Sequence, residues 1–387
     1  MNLIPEILAF VPELKRIRHT IHQNPETGFQ EWQTAELVAS RLESWGLEVH
    51  RNVGETGVVG LLRGKTSGRT IGLRADMDAL PMQEATNLPY KSLTPNVFHG
   101  CGHDGHTTML LGAAHYLSQT RRFSGTVVFI YQPAEEGLGG ARRMLADGLF
   151  TRFPCDEIFA LHTWPNAPLG RISLKPGAAM AAADNFDITI TGRGAHGAQP
   201  HFAIDPVMVA ISIAQALQTI VSRNLNPLQT AIVSITQIHA GSAYNVIPET
   251  AQISGTIRTF EDETRAMIHD RMQTIADSIA RGFGATAKLN INHNFSVLRN
   301  SAEQSKAALS IAQTLVGSSL TMEESDPLTG SEDFADMLNH VPGAYLLLGQ
   351  GPGPNLHNPA FDFNDEVIPI GSSLFARIAE ERTKFAQ

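Results

Sequence analysis

The chain has 387 residues, 42% of them hydrophobic and 17% charged, with a formal net charge of −9. That length calls for two or three domains, and the balance is that of a folded chain rather than a disordered one. The negative charge argues against nucleic acid or an anionic membrane as partner, and two cysteines, Cys101 and Cys155, exclude a disulfide framework and fit a reducing, cytoplasmic setting.

Residues 5–22 carry helical spacing, and Met1–Lys15 lacks the basic start and apolar core of a signal peptide. A second helix is predicted over 31–45, stopped by Gly46. Strands are predicted at 58–63 and 70–76, the second ending in Asp76-Met77-Asp78. Next comes a glycine-rich loop, His99-Gly100-Cys101-Gly102-His103-Asp104-Gly105-His106, which feeds a buried helix signalled by the apolar run Met109 to Ala114. A strand over 125–131 runs into Gln132-Pro133-Ala134-Glu135-Glu136-Gly137. A helix at about 139–147 and a strand over 157–161, ending on His162, follow. Strands alternating with helices imply an α/β fold with a mostly parallel sheet covered by helices. Asp76, Asp78, Glu135, Glu136 and His162 all fall at the C-terminal ends of these strands, where open α/β sheets place their active sites.

The texture changes near residue 183, where Asp184 to Thr191 alternates like a strand with one wet face. A helix at 204–223, strands at 229–239 and 249–259, a helix at 262–283 and a strand at 286–293 complete a β-α-β-β-α-β order. That order is ferredoxin-like α+β. The expected organisation is an α/β domain in two parts, 1–182 and 296–387, with a second domain, 183–295, inserted between them. The second part holds a helix at 301–316, a strand from Ala344 to Leu348 and a helix from about 366, preceded by a loop with His357. No apolar run approaches ~20 residues, so no membrane span is expected.

Cys101, His103, one of Glu135 and Glu136, His162 and His357 make five candidate metal ligands from four separate loops. A single catalytic zinc uses roughly three or four protein ligands. A pair of metals about 3.5–4 Å apart is therefore expected, with Cys101 or a carboxylate between them. Mixed sulfur, nitrogen and oxygen ligation fits Zn, Mn, Co or Ni and fits Mg or Ca poorly. Adjacent glutamates point in different directions, so one can bind metal while the other serves as general base.

These residues also carry a resemblance. The loop His99–His106, Arg74-Ala75-Asp76-Met77-Asp78-Ala79-Leu80-Pro81, Gln132–Gly137, Gly194-Ala195-His196-Gly197-Ala198-Gln199-Pro200-His201, Asn245-Val246-Ile247-Pro248 and Gly330-Ser331-Glu332-Asp333-Phe334 together resemble the dinuclear metallo-aminoacylase and carboxypeptidase family. The similarity covers nearly the whole chain, and the subgroup it favours is that of hippurate hydrolases, bacterial N-acyl-amino-acid amidohydrolases and plant auxin-conjugate hydrolases. It implies that the two-part domain, 1–182 and 296–387, is catalytic and that 183–295 is a lid or dimerisation domain. It implies hydrolysis of an amide between an acyl group and an amino acid. It implies Cys101, His103, Glu136, His162 and His357 as ligands of two divalent transition-metal ions per subunit, and Glu135 as general base. Where the wider family has His-x-Asp, this chain has Asp76-Met77-Asp78, and Asp78 is expected to orient a ligand or the base. Arg258 is expected to hold the substrate's α-carboxylate. Asn245 and His196 are expected as lid residues near the reacting carbonyl, with a two-fold homodimer through the lid. A carboxypeptidase or dipeptidase would share every ligand, and a deacetylase of N-acetyl-diaminopimelate is a further alternative.

Overall fold

In a computed structural model, which describes residues 1–385, the apolar strands Thr70–Asp76, Thr126–Gln132 and Glu157–Trp164 lie side by side and parallel. Each is buried along almost its whole length, as a strand covered on both faces must be. They form the centre of an eight-stranded sheet in the order 48–53, 57–63, 126–132, 70–76, 157–164, 343–349, 172–174, 321–323. Four of its seven pairings are parallel; the antiparallel ones lie toward the two sides. The helix His103–Thr120 packs between Pro5–Gln23 and Ile368–Arg382, and Leu110, Leu111, Leu117, Leu14, Ile17, Leu374 and Phe375 belong to one core. This first compact unit comprises Met1–Ala179, Arg299–Pro327 and the chain from Glu332 onward.

The second compact unit comprises Met180–Leu298 with Leu328–Ser331. Its main sheet has four strands, all antiparallel, in the order 231–240, 250–259, 182–191, 286–295. With the helices Pro206–Thr219 and Asp262–Gly282, this is the ferredoxin-like arrangement. Alternate residues Phe186, Ile188 and Ile190 meet Val209, Ile213 and Leu217 from one helix and Ile268 and Met272 from the other. The helical run 206–224 is long and apolar enough to pass for a membrane span by composition alone. Here one face of it, Val209, Ala210, Ile213, Leu217 and Ile220, is the core of this unit.

Asp184 ties the unit together. Its buried carboxylate accepts from Arg265 through both Nε, at 2.8 Å, and Nη2. His269 Nε2 lies 2.8 Å from it and His293 Nδ1 lies 3.0 Å from it. One carboxylate thus joins the first strand, the second helix and the last strand.

Candidate metal centre

The expected loop of ligands is shorter than its glycines suggest. The helix begins at His103, with Gly102 before it at φ +87, a left-handed geometry that favours glycine. Cys101 and His103 therefore flank a sharp turn, and His103 to His106 form the first helical turn. Gly105 is required there because a Cβ would run into the Phe363 ring. His162 lies within its strand, not at the end, because pairing with 343–349 continues through Trp164.

Six of the candidate side chains, Cys101, His103, Glu135, Glu136, His162 and His357, come together in the first unit. Cys101 Sγ is 3.5 Å from His162 Nε2. The ligand atoms of Cys101, His103 and His162 all lie within 4.8 Å of one another, as do those of Cys101, Glu136 and His357, and those of His103, Glu135 and Glu136. His357 Nε2 is 3.2 Å from Glu136 Oε1. His103 Nε2 is 3.9 Å from Glu136 and 4.0 Å from Glu135, and it is buried without a hydrogen-bond partner among the described residues. Two overlapping triads sharing Cys101 provide donors for two ions rather than one.

Neighbouring groups fix which nitrogen each histidine presents. His162 Nδ1 donates to the Thr163 carbonyl at 2.6 Å, which leaves Nε2 with its lone pair toward Cys101. Asp78 Oδ1 is 3.2 Å from His103 Nδ1, which leaves that ring's Nε2 toward the glutamates. The other Asp78 oxygen accepts the Glu136 N–H at 3.0 Å. His106 has no free nitrogen: Nδ1 donates to Asp76 at 2.7 Å and Nε2 accepts the Thr163 N–H at 2.9 Å.

The electrostatics call for a cation. Burial and the surrounding carboxylates, Glu332 first among them, hold the Glu135 carboxyl well above the usual range. Burial opposes charge on His103, but Asp76 and Asp78 outweigh it and push that imidazole up to about 10. The site thus favours positive charge at His103, on a ring whose Nε2 is unpartnered. Burial, then Glu136 and Glu135, push the Cys101 thiol well up, against the thiolate that ligation needs. A divalent ion held by Cys101 and these carboxylates would reverse that balance, because its charge would offset theirs and favour the thiolate. The donor set of sulfur, imidazole and carboxylate fits such ions.

Behind the site lies a network to which the sequence reading gave no role. Arg74, fully buried, donates to Asp76 and Glu332 at 2.8 Å, to Asp333 at 3.2 Å and to the Gln132 side chain at 2.8 Å. An arginine inside an otherwise apolar strand must be paired, and that was the available signal. The lid residues belong to the second unit. His196 and Asn245 sit on adjoining stretches of a short ribbon in which Val246 pairs with His196, and both are exposed. His196 Nδ1 accepts the Ala198 N–H at 3.1 Å. Arg258, half-buried, donates to Thr256 at 2.8 Å, and no carboxylate pairs with it among the described residues.

Residues 72–381 match the model of peptidase family M20/M25/M40. The chain is 45% identical to a hippurate hydrolase of Campylobacter jejuni, covering 98% of this chain and 99% of that protein. It is 39% identical to an N-acetylcysteine deacetylase of Bacillus subtilis, over 96% and 97% of the two chains. The crystal structure of the Bacillus subtilis YXEP protein, described as a dinuclear metal binding peptidase from the M20 family, superposes with a TM-score of 0.85 at 35% identity, over 97% and 99% of the chains. A cluster of sulfur, imidazole and carboxylate donors beside the central parallel strands of a mixed sheet, similarity along essentially the whole length and a shared fold all lead to one assignment: the chain belongs to peptidase family M20/M25/M40.

Proposed function

We propose that this chain hydrolyses the amide of N-acyl amino acids, giving a carboxylic acid and an amino acid. The observation that carries the reading is the placement of a buried carboxylate, Glu135, beside the candidate ligands Glu136 and His103. The names of the two relatives, hippurate hydrolase and N-acetylcysteine deacetylase, share that one bond. Cys101, His103, Glu136, His162 and His357 would hold two divalent ions, with Mn, Zn, Co or Ni favoured by the donor types. Such ions supply Lewis acidity toward the amide carbonyl and acidify the attacking water. Glu135 accepts that water's proton and delivers it to the leaving nitrogen. Asp78 holds the His103 ring and the Glu136 amide in register. Arg258, in an ion pair with no carboxylate among the described residues, takes the substrate's α-carboxylate; Asn245 and His196 donate toward the reacting carbonyl.

Two further readings belong to this proposal. The free thiols Cys101 and Cys155 favour the cytoplasm. The edge strand Ala231–Ala240 favours a homodimer through the second unit. The test is a panel of N-acetyl, N-benzoyl and N-indoleacetyl amino acids and of dipeptides, run after chelation and again with Mn, Co, Zn or Ni added. Chelation should abolish hydrolysis of the N-acyl amino acids, and a transition metal should restore it. Full turnover by protein shown metal-free by elemental analysis overturns the reading, and hydrolysis confined to dipeptides replaces it with a peptidase.

A further inference from the structure

We infer that Glu31 is a positioning residue for the turn that presents Glu135 and Glu136; the inference rests on the roles proposed for those two glutamates. Glu31 is fully buried and immediately precedes the helix Trp32–Ser44. A short polar side chain (Ser, Thr, Asp or Asn) at such a place commonly caps its own helix. Glu31 makes no cap bond and reaches across to another part of the chain. Its Oε1 accepts the Ala134 N–H at 2.8 Å, and its Oε2 accepts the Thr56 hydroxyl at 2.6 Å.

Ala134 is where the turn is hardest to hold. Its φ is +52, in the left-handed region that residues with a Cβ avoid. The turn is closed by Gly140 N–H donating to the Ala134 carbonyl at 3.0 Å and Gly137 N–H donating to the Glu135 carbonyl at 2.6 Å. Those bonds run within the segment and do not fix it to the sheet edge. Asp333 takes the Ala141 N–H at 3.0 Å just beyond the turn, and two carboxylates fix the turn itself. Asp78 takes the Glu136 N–H and Glu31 takes the Ala134 N–H, one on each side of Glu135. The stretch before Glu31 is itself locked: Ala79 N–H donates to the Glu26 carbonyl at 2.8 Å, and a Cβ on Gly28 would come within 2.9 Å of the Ala134 Cβ. Burial pushes the Glu31 carboxyl up to about 7. The bond to Ala134 needs only one oxygen lone pair, which both the charged and the neutral side chain offer. What the position demands is the reach of the side chain, not its charge.

That distinction sets the experiment. Glu31→Gln keeps the reach and loses the charge; Glu31→Asp keeps the charge and loses the reach; Glu31→Ala loses both. Each is compared with wild type in kcat and KM per folded, metal-loaded protein, and in amide exchange of peptide 132–137 in metal-free protein. Glu31→Gln should stay within about threefold of wild-type kcat. Glu31→Asp and Glu31→Ala should lose kcat on the order of 10²-fold, the cost of an ångström-scale misplacement, with KM little changed. Their turn amides should exchange faster, and those of Glu31→Gln should not. The inference is overturned if Glu31→Asp and Glu31→Ala, once folded, turn over like wild type, if their turn amides exchange at the wild-type rate, or if Glu31→Gln is as poor as Glu31→Ala. Glu135→Gln, assayed in parallel, reports separately on the catalytic reading. Its activity decides the role of Glu135, while exchange at residues 132–137 decides that of Glu31.

Discussion

Glu135 and Glu136 are chain neighbours with different surroundings, and the function proposed above gives them different work. Glu136 faces His357 at 3.2 Å and has its own N–H on Asp78. Glu135 is enclosed, and burial together with Glu332 and the other nearby carboxylates holds its carboxyl well above the usual range. Glu135→Gln is expected to keep its metal and lose turnover by about 10²–10⁴-fold, the usual worth of a general base. Glu136→Gln is expected to lose metal occupancy as well, read by elemental analysis after gel filtration. The opposite pattern means the two roles are exchanged. At this scale the sequence was informative wherever a side chain had no bland use, as with a cysteine and histidines among glycines. It was silent where a role depends on distant partners. Arg74 meets Glu332 and Asp333, which lie 258 and 259 residues further along the chain. Spacing favoured His103 over His106 as the partner of Cys101 but gave His106 no use of its own. Only the structure shows both nitrogens of His106 already engaged, by Asp76 and by Thr163.

Among the elements, those with a long period were legible and those without one were not. The strands 70–76, 182–191 and 250–259 announce themselves by continuous or alternating apolar residues. The strand Glu48–Val53 is mostly exposed at the sheet edge, and 172–174 and 321–323 are three residues each, too short for any period to register. Polar residues that join elements are hidden in the same way, and Asp184 is the clearest case. Burial disfavours its charge, but His269 and Arg265 outweigh that and hold its carboxyl well below the usual range. A depressed carboxylate contributes stability that is complete above its unfolded value, about 4, and is lost as the pH falls through its folded value. Asp184→Asn should therefore lower stability near pH 7 by about 1.5–3 kcal/mol, the worth of hydrogen bonds to a charged group. The gap in Tm from wild type should narrow as the pH is taken below about 4. Calorimetry of the intact chain at pH 7, 5 and 3 checks both. A gap that stays constant or widens in acid means that Asp184 does not hold this unit by its charge.

For the whole molecule, the open question is whether one chain makes a complete enzyme. The strand Ala231–Ala240 lies at the edge of its sheet and contains no lysine, arginine or proline to block pairing. Ile238 on that strand, and Met208 and Ile211 on the helix that packs against it, are exposed. A two-fold axis beside this edge would extend the sheet across two copies and cover those side chains. His196, exposed on its short ribbon, keeps Nε2 available because Nδ1 takes the Ala198 N–H. On the reading that His196 serves the partner's reaction, His196→Ala and Glu135→Gln impair different halves of each composite site. Each variant alone should be nearly inactive. Mixed in equal amounts and allowed to exchange subunits, half of the dimers become mixed. In each of these, one site of the two joins an intact Glu135 to an intact His196 from the partner. Activity per total subunit should then recover to about one quarter of wild type. Differential tags, pulled down in sequence, establish that exchange took place. With mixed dimers demonstrated and no activity recovered, His196 acts within its own chain or not at all. A chain that sediments as a monomer at assay concentration, yet is fully active, removes the partner from the reaction altogether.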